Sequence, residues 1–547
     1  MVKSLFRKKL LIVTTISVIL VSAISVPFII KYLDSNDSLF ICDNADIYID
    51  SDDDFEYYSF KGNGSKENPY LIENQIFENH SQTGISIKNT TKFFIIKNCS
   101  FNNGFFFSIE IQSARAETTK IVNNRFQGNY GIWILNTNQI LIKENNFSNF
   151  AFAISLDKSN NCLVNNNSFS NSTGYVFEIG PSGLGICVFE SSFIYIFNNT
   201  FYSVTFGIRV YDCYSLSIKQ NIHRYGHTGT FVKQTCDVQI SNNSVTNLLN
   251  GIWIQSSPNA IIEYNNCTTC DYGIYPNKSP YSIVRRNNCT NAGFYIYNEF
   301  ELEYETYLFV DNYVNGKKLG YFTNLDNISF IKSEYGQLIF ILCTNLLIKN
   351  QFLCNTSFGL IFYYCSFSKV INNTLNNNYL GMNLRFSGYS EIVNNTCKSN
   401  RGIGIEMSSS VYMTVVNNTI ESNILGIDFS QVLFSNITQN YIIQNDRGIF
   451  ISYNCELIEV SFNLFAKNVD YAVNIRGKIN FIHHNSFFYN NQYSSSQAYD
   501  SGSGNYWYDT ISLEGNYWTD WNQTNGYLID GSAGSIDLYP LIDPPFL

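Results

Sequence analysis

Charge is what this sequence has least of. Of its 547 residues only 14% are charged, against roughly a quarter in an ordinary soluble protein. The small balance is acidic, 34 Lys and Arg against 44 Asp and Glu, which excludes a basic nucleic-acid binder. Nine prolines are too few for a Pro-rich stalk. Five histidines and four methionines leave little for a copper site, and no metal ligand set is expected. Helical periodicity is absent from the bulk of the chain. Disorder is excluded as well, because 45% of the residues are hydrophobic and 16% are aromatic. What stands in place of charge is asparagine, about seventy residues, with Ser, Thr and Tyr.

The N-terminus sets the expected compartment. Residues 1–9 form a basic tail with Lys3, Arg7, Lys8 and Lys9. Residues 10–30 carry no charge, and as a helix they span ~30 Å, a bilayer core. The expectation is a transmembrane signal anchor with the tail in the cytoplasm and the bulk outside the cell. The small residues around Val21-Ser22-Ala23 offer a cleavage site, so a secreted chain is the alternative. Residues 31–60 read as a linker. Its acidic run, Asp50 to Asp54, lacks the Gly hinge and closing Glu of a calcium loop. Calcium is the alternative there, and no other cofactor is expected.

From Gly84 to about Ala472 one pattern recurs. A Gly is followed by apolar residues at +1 and +3, as at Gly131, Gly207, Gly251, Gly381, Gly404, Gly426 and Gly448. The step is close to 22 residues, the sign of a solenoid. About ten residues after each Gly a second apolar alternation ends in Asn-Asn, as at Asn123-Asn124, Asn198-Asn199 and Asn394-Asn395. Alternation at period 2 with Ile, Val, Phe and Tyr makes each segment a strand with one buried face. Three short strands per coil give an all-β parallel β-helix, with about seventeen coils over 61–495. Asn tolerates left-handed backbone and turns the chain between strands; stacked Asn amides can also bond one another along the axis. The repeat lapses at 299–336, where Tyr313 to Lys318 reads as strand, Asn-Gly turn, strand. Residues 496–547 read as a C-terminal cap.

These repeats resemble the right-handed parallel β-helix repeats of the pectin-lyase-like superfamily. The resemblance is to its NosD-like, carbohydrate-binding and sugar-hydrolysis (CASH) group, frequent among archaeal exported proteins. Gly62 to Asn74 is similar to that group's entry segment, and Gly515 to Trp521 with Gly534 to Leu541 to its exit segment. The resemblance implies a right-handed coil and a carbohydrate partner. It also raises copper delivery, which the histidines do not favour. His223 and His227 span a turn, and the consecutive His483 and His484 are expected on opposite sheet faces.

Stacking the coils turns the +2 and +4 positions into outward columns. One patch is aromatic, Trp253, Tyr275, Tyr295 and Tyr297, and suits sugar rings. The other holds Asn383, Arg385, Glu406 and Asp428. Glu406 and Asp428 fall one coil apart, ~4.8 Å at Cα, close enough to raise one pKa and to act as acid and base or nucleophile. Arg385 would neutralise them or hold an acidic sugar. The bland alternatives are sheet-covering aromatics and a surface ion cluster.

Fourteen cysteines include three pairs about one coil apart: Cys213 with Cys236, Cys267 with Cys289, and Cys343 with Cys365. Each is a candidate disulfide outside the cell, with stacked free thiols as the alternative. Sequons at Asn98, Asn146, Asn198, Asn242, Asn372, Asn394 and Asn417 fall on expected surface turns. The leading expectation is a membrane-anchored, extracellular β-helix that binds glycans. A polysaccharide lyase or glycoside hydrolase on the same face is the enzymatic alternative, and a structural rod or adhesin the third.

Overall fold

The computed structural model describes residues 45–78, 82–102, 105–128, 130–172, 183–298, 300–492 and 495–546. The apolar stretch 10–30 lies outside them; among the described residues no helix is long and apolar enough to cross a membrane. The chain forms two compact units. One runs to Asn265 and includes 277–282; the other holds 266–276 and everything from Ile283. Both are built from short parallel strands, about 19 coils in all. Among the described residues, helix is confined to Asp54–Tyr57 and the 3-10 turn Glu301–Thr306.

The count exceeds seventeen partly because the solenoid begins inside the expected linker. Strand Ala45–Ile49 pairs in parallel with Thr83–Lys88. Phe55, fully buried, stacks on Tyr70 at 4.7 Å and closes the end of the core. The acidic run here is structural. Asp54 Oδ2 accepts the backbone N–H groups of Asp50 and Ser51. Asp52 accepts Thr90 Oγ1, the N–H of Thr91 and Thr91 Oγ1. These hydrogen bonds hold Asp52 and Asp54 below the usual carboxylate range, against a desolvation that raises both and is the largest single effect at Asp52. These carboxylates cap a coil.

Inside the first unit, seven rings stack along the axis: Phe77, Phe101, Phe126, Phe147, Phe169, Phe201 and His223. Their centroids are 4.5–5.0 Å apart and the planes lie within 8° of parallel, the geometry of in-register coils. In the second unit the column after the Asn-Asn turns is Cys397, Ile420 and Ile442, then Phe465, Phe487 and Trp518, where ring stacking resumes at 4.9 and 4.0 Å.

The Asn-Asn pairs divide their work. The first Asn takes left-handed backbone and faces solvent; the second points inward. Asn418 is typical: its N–H and its Nδ2 both donate to Asn440 Oδ1 at 2.9 Å, and Nδ2 also reaches Ile392 O at 2.8 Å. One such ladder runs from Gln351 through Asn373, Asn395, Asn418, Asn440, Asn463 and Asn485 to Asn516. Along the ladder each backbone N–H donates to the side-chain oxygen one coil toward the C-terminus, so the last N–H needs an acceptor beyond Asn516. Asp537 Oδ2 supplies it, taking the Asn516 N–H at 2.7 Å. A parallel ladder ends on Gln497, whose Nε2 donates to Asp520 Oδ1 at 2.7 Å. A third ends on Asn505, bonded to Asp500. The Trp507 and Trp518 indoles donate to Asp500 and Asp537 and cover the core. Burial, only partly offset by these donors, raises the Asp537 carboxyl to about 6.

At the lapse, Tyr313–Val314 and Lys317–Thr323 form an antiparallel hairpin, turned by Asn315 and Gly316 with φ of 50° and 78°.

All thirteen described cysteines are free. Cys213 points inward and Cys236 outward: Cys236 is the register partner of Tyr214, one place off. Cys267 and Cys289 are in register and fully buried, as are Cys343 and Cys365. Parallel stacking aims successive Cβ bonds the same way, so these thiols pack as small apolar groups in place of the expected disulfides.

Candidate functional site

The second unit gathers the polar patch on three adjacent strands. Asn383 and Arg385 lie on Leu380–Arg385, Glu406 on Ile403–Ser408 and Asp428 on Leu425–Ser430. Register aligns Asn383, Glu406 and Asp428, with Phe450 next. The coils approach so closely that a Cβ on Gly404 would lie 2.7 Å from Gly426 O, which keeps that column position glycine.

Asn383 Nδ2 donates to Glu406 Oε2 at 2.6 Å. Arg385 Nη2 reaches Glu406 Oε1 at 3.2 Å, over the small register partner Ser408. Its guanidinium also lies 5.7 Å from the Tyr297 ring centre and 5.9 Å from that of Tyr363. Two buried polar atoms of this pair of residues stay without a protein partner, Asn383 Oδ1 and Arg385 Nε. Asn383 is only 1% exposed.

Asp428 differs from its neighbour. Burial, then repulsion from Glu406, lifts its carboxyl to about 7 against the pull of Arg385 and Arg447. It therefore gives up its proton only around neutrality. The expectation that both carboxylates face open solvent is corrected, since both are only partly exposed.

The tyrosines form a wall. Tyr275 lies 4.7 Å from Tyr295, and Tyr295 stacks on Phe358 at 4.5 Å. Tyr295 is 8% exposed, so it lines the recess and is no open platform. Tyr272 and Tyr379 extend the wall, ring centres 5.1 Å apart. Beside them Arg401 is paired with Asp271 at 2.5 Å. On another side stands Tyr304 from the 3-10 turn at the lapse, 5.7 Å from Tyr363. Trp253 belongs to the first unit, where it packs on Phe231 at 4.5 Å.

Tyr272, Tyr304, Tyr363, Tyr379, Asp271 and Arg401 were not legible as site residues. Tyr304 comes from the one segment with no repeat to place it. Elsewhere on the second unit Phe367, Tyr389, Tyr412 and Phe434 stack at 4.9–5.1 Å while 44–55% exposed. Each occupies the left-handed turn position. Their faces cover one another, leaving mainly edges to solvent.

His223 is buried in its ring stack, with neither nitrogen bonded to protein; burial holds it neutral, at about 3. His227 bonds only its neighbour Thr228, at 2.9 Å. Neither is placed as a metal ligand. The expectation for His483 and His484 is overturned: their Nδ1 atoms lie 2.8 Å apart.

Two family models match. The model described as "Right handed beta helix region" covers 42–192 and 184–331. That described as "Periplasmic copper-binding protein (NosD)" covers 324–523. The chain belongs to the right-handed β-helix family and is NosD-like in its second half. No curated protein matches it. Among solved structures it is similar to the PL6 family alginate lyase AlyGC, at 8% identity over 90% of this chain and 99% of that one, TM-score 0.26. It is also similar to the Azotobacter vinelandii mannuronan C-5 epimerase AlgE6 A-module, at 9% identity over 76% and 90%, TM-score 0.21. A third is the GH136 lacto-N-biosidase from Eubacterium ramulus, at 11% identity over 51% and 62%, TM-score 0.24. At such identities and TM-scores none of them lends its activity to this chain.

Proposed function

We propose that the recess around Asn383, Arg385, Glu406 and Asp428 binds carbohydrate. The observation that carries this is the pair of partnerless polar atoms, Asn383 Oδ1 and Arg385 Nε, enclosed among tyrosine rings. An unpaired buried polar group costs about 1–3 kcal/mol. A ligand rich in hydroxyls removes that cost, and its C–H faces pack on the phenol rings. Export through residues 10–30 would present this face outside the cell, and a C-terminal tag reachable on intact cells would support that.

The test is a glycan array with the soluble part of the chain, wild type against Asn383→Ala. Wild-type binding to a defined glycan class, weakened at least tenfold in the variant, supports the reading. Binding unchanged by Asn383→Ala, or no glycan bound at all, sinks it.

One observation favours a second reading, glycoside hydrolysis. Asp428 keeps its proton near neutrality while Glu406, one coil away, is ion-paired and aimed by Asn383 and Arg385. An acid and a carboxylate on adjacent coils are the parts of a two-carboxylate glycosidase mechanism. Release of reducing ends by wild type, lost in Asp428→Asn with glycan binding kept, is the expected result; equal release by both would refute it.

A further inference from the structure

The second unit has a sheet whose outer face is more apolar than its counterpart in the first. It holds eight parallel strands, from Ser329–Phe330 to Phe481–His483, and is a different sheet from the one that carries the recess. One outward row reads Lys369, Glu391, Thr414, Asn436 and Glu459, with Leu347 and Phe481 at its ends. The next row reads Ile371, Val393, Val416 and Thr438, all half-exposed. Along one border runs the exposed ladder Phe367, Tyr389, Tyr412 and Phe434, continued at the same left-handed turn by Leu457 and Ile479.

The corresponding sheet of the first unit is guarded. Its row before the Asn-Asn turns carries Lys97, Lys143 and Lys219. Its turn column carries Gln139, Asn161, Ser215 and Asp237. Lysines and short polar groups keep an exposed sheet from associating. A parallel sheet with an apolar outer face is ordinarily covered.

We infer that this face of the second unit is the seat of a two-fold dimer, covered by the same face of a second copy with the two coils running antiparallel. The mixed row selects that occupant. A two-fold axis along the strand direction through Thr414 sets Thr414 opposite itself and Glu391 opposite Asn436. It sets Lys369 opposite Glu459 and Leu347 opposite Phe481. The turn columns then lie on each other, Tyr412 on itself, Tyr389 on Phe434 and Phe367 on Leu457, so the ring edges left to solvent meet. Every charge in the row meets an opposite charge or an amide. Moving the axis half a coil toward the C-terminus puts Glu391 opposite Glu459, and one coil toward the N-terminus puts Glu391 opposite itself; like charges face to face are destabilising. The face measures roughly 500 Å² per copy, from a coil spacing of ~4.8 Å and a rise of ~3.3 Å per residue. That is at the low end for a specific interface, so the dimer is reversible. It leaves the recess, on the other sheet, open in both copies.

The test is sedimentation of the full chain in non-ionic detergent over a hundredfold range of concentration. Wild type is expected to pass reversibly from monomer to dimer. Tyr412→Lys, at the axis, should stay monomeric with circular dichroism and thermal midpoint kept, since lysine already takes the left-handed turn at Lys158 and Lys467. Lys369→Glu should weaken the dimer at least tenfold, and adding Glu459→Lys should restore it. The two positions are four coils apart in one chain, too far to pair within it. Independently of these variants, Thr414→Cys should cross-link to itself through a bis-maleimide about as long as the ~10 Å spacing of packed sheets. Wild type, in which Cys236 is the one exposed thiol among the described residues, is the blank. A wild type that is monomeric throughout overturns the inference, as does a dimer indifferent to Tyr412→Lys. Failure of Glu459→Lys to restore the Lys369→Glu dimer, or Thr414→Cys cross-linking no better than the blank, overturns the antiparallel seat.

Discussion

The two units carry the same side-chain arrangement at corresponding places and put it to different use. In the first, Gly84 is followed by Ser86 and Lys88, with Glu110 on the next coil. In the second, Gly381 is followed by Asn383 and Arg385, with Glu406 on the next coil. Ser86 Oγ donates to Glu110 Oε2 at 3.0 Å and Lys88 sits 3.5 Å from Oε1, just as Asn383 and Arg385 hold Glu406. The difference is one coil further on. Glu110 is followed by Trp133, which helps seal it to 1% exposure. Glu406 is followed by Asp428, a second carboxylate in a recess that keeps unpaired polar atoms. A carboxylate with a basic partner is therefore no sign of a site by itself. What surrounds the pair decides.

The sharpest way to break the comparison is to remove each carboxylate. Glu110→Ala strands Lys88, only 12% exposed, and should cost about 3–5 kcal/mol in chemical denaturation. Glu406→Ala leaves Arg385, 24% exposed, with routes to water, and should cost about 1 kcal/mol or less. Equal losses would mean that both pairs are structural.

A smaller effect tests how the first unit treats an ionisable ring. His223 is neutral when folded, at about 3, and near 6.5 when unfolded. The unfolded chain binds the extra proton, so stability is lost as pH falls below 6.5. His223→Phe, which extends the row of phenylalanines, should remove about 2 kcal/mol of destabilisation at pH 5. At pH 8 the gain should be much smaller. Matched thermal scans at the two pH values check it, and a pH-independent gain would point to packing alone.

Asp428→Asn should give a signal of the opposite sign. The folded carboxyl, at about 7, keeps a proton that the unfolded one, near 3.8, has lost. Wild type therefore loses stability as pH rises from about 4 to about 7. The variant's midpoint should gain on wild type across that window and level off above it. A gain that grows toward acid would show that the carboxylate is ionised and paired.

Much of this was legible because the repeat is periodic. The 22-residue step, the glycines and the Asn-Asn turns follow from strand alternation and from asparagine's tolerance of left-handed backbone. Once the coils are stacked, Asn383, Glu406 and Asp428 fall into one column by arithmetic. The Cys213 and Cys236 pairing failed for the same reason: arithmetic good to one residue cannot tell an inward position from an outward one, because side chains alternate. His483 and His484 failed because one left-handed residue cancels that alternation.

The sequence by itself determined the solenoid, its strand faces and the columns of side chains, because each depends on local periodicity and on contacts one repeat away. Only the tertiary structure decided what those columns mean. It set which carboxylate is sealed by a tryptophan and which is met by a second acid. It brought Tyr304 from outside the repeat to the recess, and it turned two consecutive histidines to face each other. Those outcomes depend on burial and on the direction of individual side chains, which arise only when the coils pack.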